Sequence, residues 1–220
     1  MIKANGGSNN IIKGLFCGSL AKFCSLVKVS YIVGSYAAFF SLSQCIVPLM
    51  GAYAGLSGSL LFCLLGMAAR WVIAPIAVFK LFAFYVPGMI AGFTWIKEYR
   101  FVQVVVPVIC MALFLIHPVG GAAWVYTLYW VLPVALYYSA INSVFAQSVA
   151  STFVAHAVGS TIWLYADPMS ASVWIGLIPV VAYERLLLAV GMIIAYHAIA
   201  YVQYIIHAPA SMRTHILGSK

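Results

Sequence analysis

The chain has 220 residues, of which 65% are hydrophobic and 6% charged, and its mean hydropathy is +1.08. A soluble domain carries about 25% charged residues, so folding in water is excluded for nearly all of it. The net charge of +8 does not imply nucleic acid: Lys3, Lys13, Lys22, Lys28, Arg213 and Lys220 lie towards the two termini, where the positive-inside rule reads them as cytoplasmic charge beside lipid headgroups.

A membrane-crossing helix needs about 20 mainly apolar residues, so this length holds six or seven spans. The expected fold class is therefore an all-α polytopic transmembrane bundle, and the absence of period-two alternation argues against a β-barrel. Residues 1–28 read as a polar to amphipathic cytoplasmic segment, with Leu15, Phe16, Leu20 and Phe23 set beside Lys22 and Lys28 as in an interfacial helix. Residues 29–206 read as the transmembrane domain. A first span is expected over Val29–Val47, Pro48 marks a sharp turn, and a second span follows over Leu49–Ala69, after which Arg70 returns the chain to the cytoplasmic side.

Residues 71–95 contain Pro75, Lys80, Pro87 and Gly88 and read either as one kinked span or as a re-entrant pair. The re-entrant form keeps the Lys97, Glu98 and Arg100 loop cytoplasmic and gives six crossings with both termini inside. The kinked form gives seven. Further spans are expected at 101–116, 119–140, 144–165 and 173–206, before a cytoplasmic tail over 207–220. Cys17, Cys24, Cys45, Cys63 and Cys110 show no Cys-x-x-Cys spacing, so they read as small hydrophobes rather than metal or redox ligands. No cofactor motif is present, and the absence of a Gly-x-x-x-x-Gly-Lys-[Ser/Thr] loop excludes ATP hydrolysis by that route.

The polar exceptions gather in the C-terminal half. Ser148, Thr152, His156, Ser160 and Trp163 are spaced four, four, four and three, which at about 100° per residue puts them on one helical stripe. In lipid such a stripe must face other helices or a cavity. Hydroxyls alone serve helix–helix hydrogen bonding, whereas an ionisable group such as His156 at mid-span points to a ligand or proton role. On the preceding span Tyr126, Trp130, Pro133 and Tyr137 share a second face, suited to packing or to an aromatic binding wall. Asn142 offers an amide nearby. Glu184 and Arg185 fall within the last span; being adjacent they point about 100° apart, and they either sit at the membrane boundary after Pro179 or face a cavity.

Gly55-Leu56-Ser57-Gly58 matches the Gly-x-Ser-Gly around the nucleophile of rhomboid intramembrane proteases, but no earlier span supplies the oxyanion-stabilising His and Asn that the rhomboid pattern carries. The small residues there instead suit close helix packing. The segment PLMGAYAGLSGSL after the first span, and the stretch AHAVGSTIWLYADPMSASVWIGLIPVVAYER, resemble the substrate-binding S-components of energy-coupling-factor vitamin transporters over about residues 29–206. That resemblance implies a vitamin or precursor bound among the helices of a protein in the bacterial inner membrane. It also implies partner subunits: a transmembrane coupling protein, met through small residues such as Ala37 and Ser41, and two ATPases.

The expected function is thus binding and uptake of a small vitamin-like molecule, without catalysis or cofactor, by a substrate site of Trp130, Asn142, His156, Ser160, Trp163, Glu184 and Arg185. The partners are the solute, membrane lipids and those subunits. Two alternatives stand beside it: a membrane-embedded enzyme acting on a lipid or isoprenoid with His156 and Glu184 as acid and base, and a non-catalytic scaffold with no cavity.

Overall fold

The computed structural model describes residues 7–31, 39–73, 78–139 and 141–207. Its helices are α1 (Gly7–Cys24), α2 (Met50–Ile73), α3 (Val78–Phe93), α4 (Val102–Ile116), α5 (Pro118–Ala122), α6 (Val131–Tyr138), α7 (Val144–Ala166), α8 (Ala171–Gly176) and α9 (Ile178–His207). Short 3-10 turns join several of them, and Trp124–Trp130 forms a 3-10 stretch before α6. Among the described residues, four helical stretches are long and apolar enough to cross a membrane: Leu42–Ala69, Lys97–Ile116, Val144–Ala166 and Ile178–Ile205. The shorter Phe82–Phe93 is apolar as well.

The bundle is apolar on its outside. Leu61, Leu64 and Leu65 of α2, Val108, Ile109 and Ile116 of α4, and Leu186, Val190 and Ile194 of α9 are all exposed. Lipid solvates such a surface and water does not. Helix α7 is the opposite case, with 72% of its spanning window buried and packing against α3, α4, α6 and α9. Its sequence explains this position: Ala146, Ala150, Ser151, Ala155, Ala157, Gly159 and Ser160 allow neighbouring backbones to approach on every side. The Ser148-to-Trp163 stripe therefore faces inward together with almost everything else on α7.

The inner hydroxyl and amide groups of α7 bind the end of α3. Ser151 Oγ donates to the Ala91 carbonyl at 3.0 Å, and Gln147 Nε2 donates to the Thr94 carbonyl at 2.6 Å. Trp95 Nε1 donates in turn to Ser151 Oγ at 3.1 Å. The last carbonyls of a helix have no partner within it, and in lipid no water supplies one, so these bonds complete the terminus of α3.

The expected first span, Val29–Val47, is not a single helix. Lys28–Tyr31 and Phe39–Ser41 pair as antiparallel strands β1 and β2, with Ser30 opposite Phe40 and Tyr31 opposite Phe39. Ala37 lies outside the described residues. Ser41 ends β2, its hydroxyl 2.6 Å from that of Ser43. The N-terminal segment forms α1, whose Cys17, with Leu49, Met50, Tyr53, Ala54, Met192 and Ile199, builds one core cluster.

Residues 42–73 also depart from a straight span, because the chain reverses at Gly55. Before it, Val47 sits against Gly88, and Pro48 and Gly51 sit against Gly92, so this limb runs parallel to α3. After it, Ser59 lies near Gly92 and Gly66 faces Tyr85, so the second limb runs antiparallel to α3. Gly55 has φ 67° and ψ −165°, a region open essentially to glycine alone. The small residues read as a packing patch do bring backbones together, since any side chain at Gly51 would overlap the Gly92 carbonyl. Ser57 is exposed.

A Cβ at Gly55 meets nothing within 4 Å, and the same holds for Gly176, where φ is not positive. Gly55→Ala is therefore expected to destabilise the protein by about 1–3 kcal/mol through backbone strain alone, while Gly176→Ala changes stability by less than about 1 kcal/mol. Thermal unfolding of both variants in one detergent measures the difference.

Candidate functional site

The stretch 118–138 is broken into α5, the 3-10 segment and α6, so Tyr126, Trp130, Pro133 and Tyr137 do not share one continuous α-helical face. A 3-10 segment eclipses residues three apart. Tyr126 and Tyr129 consequently both look at His156, with ring centroids 5.2 and 6.3 Å from the imidazole. Trp130, fully buried, packs at 6.1 Å. Behind them Phe114 stacks on Tyr126 at 5.6 Å and meets Trp130 and Trp174 edge-on at 5.2 and 5.3 Å.

The hydrogen bonds within this cluster have a definite direction. Trp130 Nε1 donates to His156 Nδ1 at 3.1 Å, and an indole N–H can only donate. Nδ1 is therefore the acceptor, and the ring of His156 is the neutral tautomer with its proton on Nε2. Nε2 lies 2.8 Å from Tyr126 Oη, so the imidazole donates and the phenol oxygen accepts. The Tyr126 hydroxyl also lies 3.2 Å from Ser160 Oγ, a bond in which either oxygen can donate, because the phenol that accepts from His156 keeps a second lone pair. The row runs Trp130, His156, Tyr126, Ser160, and it ends at the cavity that Ser160 lines.

That cavity has a volume of about 90 Å³ and lies between α3, α7, α8 and the outer part of α9. Since a water needs about 10–15 Å³ on this scale, the space holds several waters or one small ring. Phe84, Trp163 and Trp174 supply aromatic walls, and Gln44 enters from the 3-10 turn after β2. Trp174 is buried, and its Nε1 has no hydrogen-bond partner. A buried donor left unpaired costs about 1–3 kcal/mol.

Glu184 and Arg185 also line the cavity, only 7% and 4% exposed. α9 starts at Ile178, beside Pro179, and the pair lies six and seven residues into it, about 9–10 Å from its start, buried inside the bundle. Their side chains do converge: Arg185 Nη2 and Glu184 Oε2 are 3.6 Å apart. The 100° offset of adjacent positions is bridged because both side chains are long and bend back towards each other. Two buried charges need each other, since desolvating either alone costs several kcal/mol.

Of the residues expected to form the site, His156, Ser160, Trp163, Glu184 and Arg185 surround this cavity, and Trp130 stands one layer behind, holding His156. Asn142 is not part of it. It is exposed in the loop before α7 and accepts from Arg100 Nη1 at 2.8 Å. Thr152 and Ser148 are buried elsewhere along α7. Tyr126, Trp174, Phe84 and Gln44 also line it and were not among the expected ligands. Tyr126 carried a signal in its spacing four before Trp130; the other three come from segments with no polar periodicity. Among the described residues, no three His, Cys, Asp or Glu side chains gather as metal ligands would.

No family model, curated protein or solved structure is detectably similar to this chain. Its function must be read from the site.

Removing the Tyr126 hydroxyl breaks two bonds at once and leaves the His156 Nε2–H buried without an acceptor. Tyr126→Phe is expected to lower stability by about 1–3 kcal/mol, measured by chemical denaturation in detergent. Ser160→Ala, which leaves the histidine bonded, should cost less than half as much.

Proposed function

We propose that this chain is a multi-pass membrane protein that binds one compact solute between α3, α7, α8 and α9 and takes part in its uptake. The carrying observation is the cavity itself. It is mostly aromatic and apolar, with a few polar side chains on its lining: Ser160 and the buried Glu184–Arg185 pair. Small-molecule sites have this composition.

The path of the chain supports six crossings, made by the second limb of α2, α3, α4, residues 118–138, α7 and α9. In this reading α1 and residues 42–54 form an inserted pair on the flank, and 71–95 contributes a crossing. The loop at 94–101 and the start of α7 then share the cytoplasmic side with the end of α9; Lys97 and Arg100 obey the positive-inside rule, while Arg70, expected on that side, falls on the opposite one. The solute cavity, near Trp163, Met169 and Trp174, lies towards that opposite side. This polarity suits uptake across a bacterial inner membrane, and the resemblance to S-components supplies a driving force from a coupling protein and two ATPases.

Acid–base chemistry between His156 and Glu184 has less support, because both imidazole nitrogens are engaged by Trp130 and Tyr126. The test is a thermal-shift screen of B-group vitamins and their ring precursors on the purified protein. One solute is expected to raise the melting temperature saturably, by the roughly 2.7 kcal/mol that a hundredfold excess over Kd provides. Ser160→Ala, which removes a polar group of the lining, should weaken that solute about tenfold. A screen without a saturable shift contradicts the proposal.

A further inference from the structure

The second cavity of the molecule lies at the other end of α7, where the loop after α3 meets the loop before α7. Its volume is about 440 Å³, within the roughly 300–1,000 Å³ of small-molecule pockets. Among the described residues, Lys97 and Arg100 line it and no carboxylate does; Glu98, between them in sequence, is exposed and does not line it. Trp95 and Tyr196 also line it and stack on each other, with centroids 5.5 Å apart and planes 21° from parallel. The Trp95 ring is fixed by its bond to Ser151.

Arg100 is built into this site. Its Nη1 donates to Asn142 Oδ1 at 2.8 Å, while its Nε is buried and has no partner. Anchored through Nη1, the guanidinium keeps the Nε edge for another acceptor, and that edge is the one that receives carboxylates and phosphates in a fork. The same bond fixes the Asn142 amide with Oδ1 towards Arg100, so its two N–H groups remain available. Val144 adds the start of α7, a helix with no acidic residue in its first turn. A cavity with two cations, amide donors and no acid selects an anion, and its aromatic wall favours an anion attached to an organic group.

We propose that this cavity binds a phosphate ester, the chemistry shared by an anionic phospholipid headgroup and a soluble glycerol or sugar phosphate. The site is separate from the solute cavity, so either assignment can fail without the other. The test uses the full chain in neutral detergent and follows saturable binding of three probes: short-chain phosphatidylglycerol, glycerol 3-phosphate, and diacylglycerol of the same chain length.

Phosphatidylglycerol is expected to bind and diacylglycerol not to. Lys97→Gln, at an exposed position, should weaken binding about tenfold, and Arg100→Gln at least as much, the size of one charge-assisted hydrogen bond each. Binding of glycerol 3-phosphate as tightly as the lipid assigns a soluble ester, and its silence assigns the headgroup. Equal binding of diacylglycerol, no binding of either phosphate probe, or undiminished binding in Lys97→Gln overturns the proposal.

Discussion

The bond from the Trp130 indole to His156 Nδ1 decides how the centre of this protein is wired. Because the indole has a proton to give and nothing with which to accept, it leaves the imidazole one arrangement. Tyr126 must accept from the histidine, and its hydroxyl shares a further bond with Ser160. The aromatic ring cluster around Phe114 holds Tyr126, Trp130 and Trp174 in place from behind. Packing and hydrogen bonding thus specify the same geometry, and the row ends on Ser160 at the cavity wall.

A chain this apolar places unusual demands on its few polar groups. In lipid a carbonyl or hydroxyl finds no water, and each must meet a partner inside the bundle. Helix α7 supplies those partners at both of its ends. Its first half binds the terminal carbonyls of α3 through Gln147 and Ser151, and its second half carries His156 and Ser160 against the 118–138 segment. That double service requires α7 to be buried all round, which its alanine, serine and glycine content permits. The buried ion pair on α9 follows the same rule, two charges sharing one desolvated space.

Much of this was legible in the sequence, for identifiable reasons. Long apolar runs marked the stretches Lys97–Ile116, Val144–Ala166 and Ile178–Ile205, and the four-residue spacing of Ser148, Thr152, His156 and Ser160 placed the histidine inside the bundle. Other features had no local signature. The run from Val29 to Val47 is rich in β-branched and aromatic residues, which serve strand and helix alike, so the pairing of β1 with β2 could not be told from a span. The reversal at Gly55 depends on one backbone conformation that any glycine can adopt. Glu184 and Arg185 met because their side chains bend, a freedom that backbone angle arguments ignore. Asn142 was drawn to the wrong cavity because nearness in sequence to α7 says nothing about which end of a helix 23 residues long a site occupies, and Trp174 sits in a short helix whose hydropathy is silent about its indole proton.

The wiring is tested most directly by the protonation of one ring. Nitrogen-15 NMR of histidine-labelled protein in lipid bilayers, with the His156 signals assigned by difference against His156→Gln, reads each imidazole nitrogen separately. The geometry requires an unprotonated Nδ1 accepting from Trp130 and a protonated Nε2 donating to Tyr126, with the Nδ1 resonance moving in Trp130→Phe. A proton on Nδ1, in either the opposite neutral tautomer or an imidazolium, would contradict it.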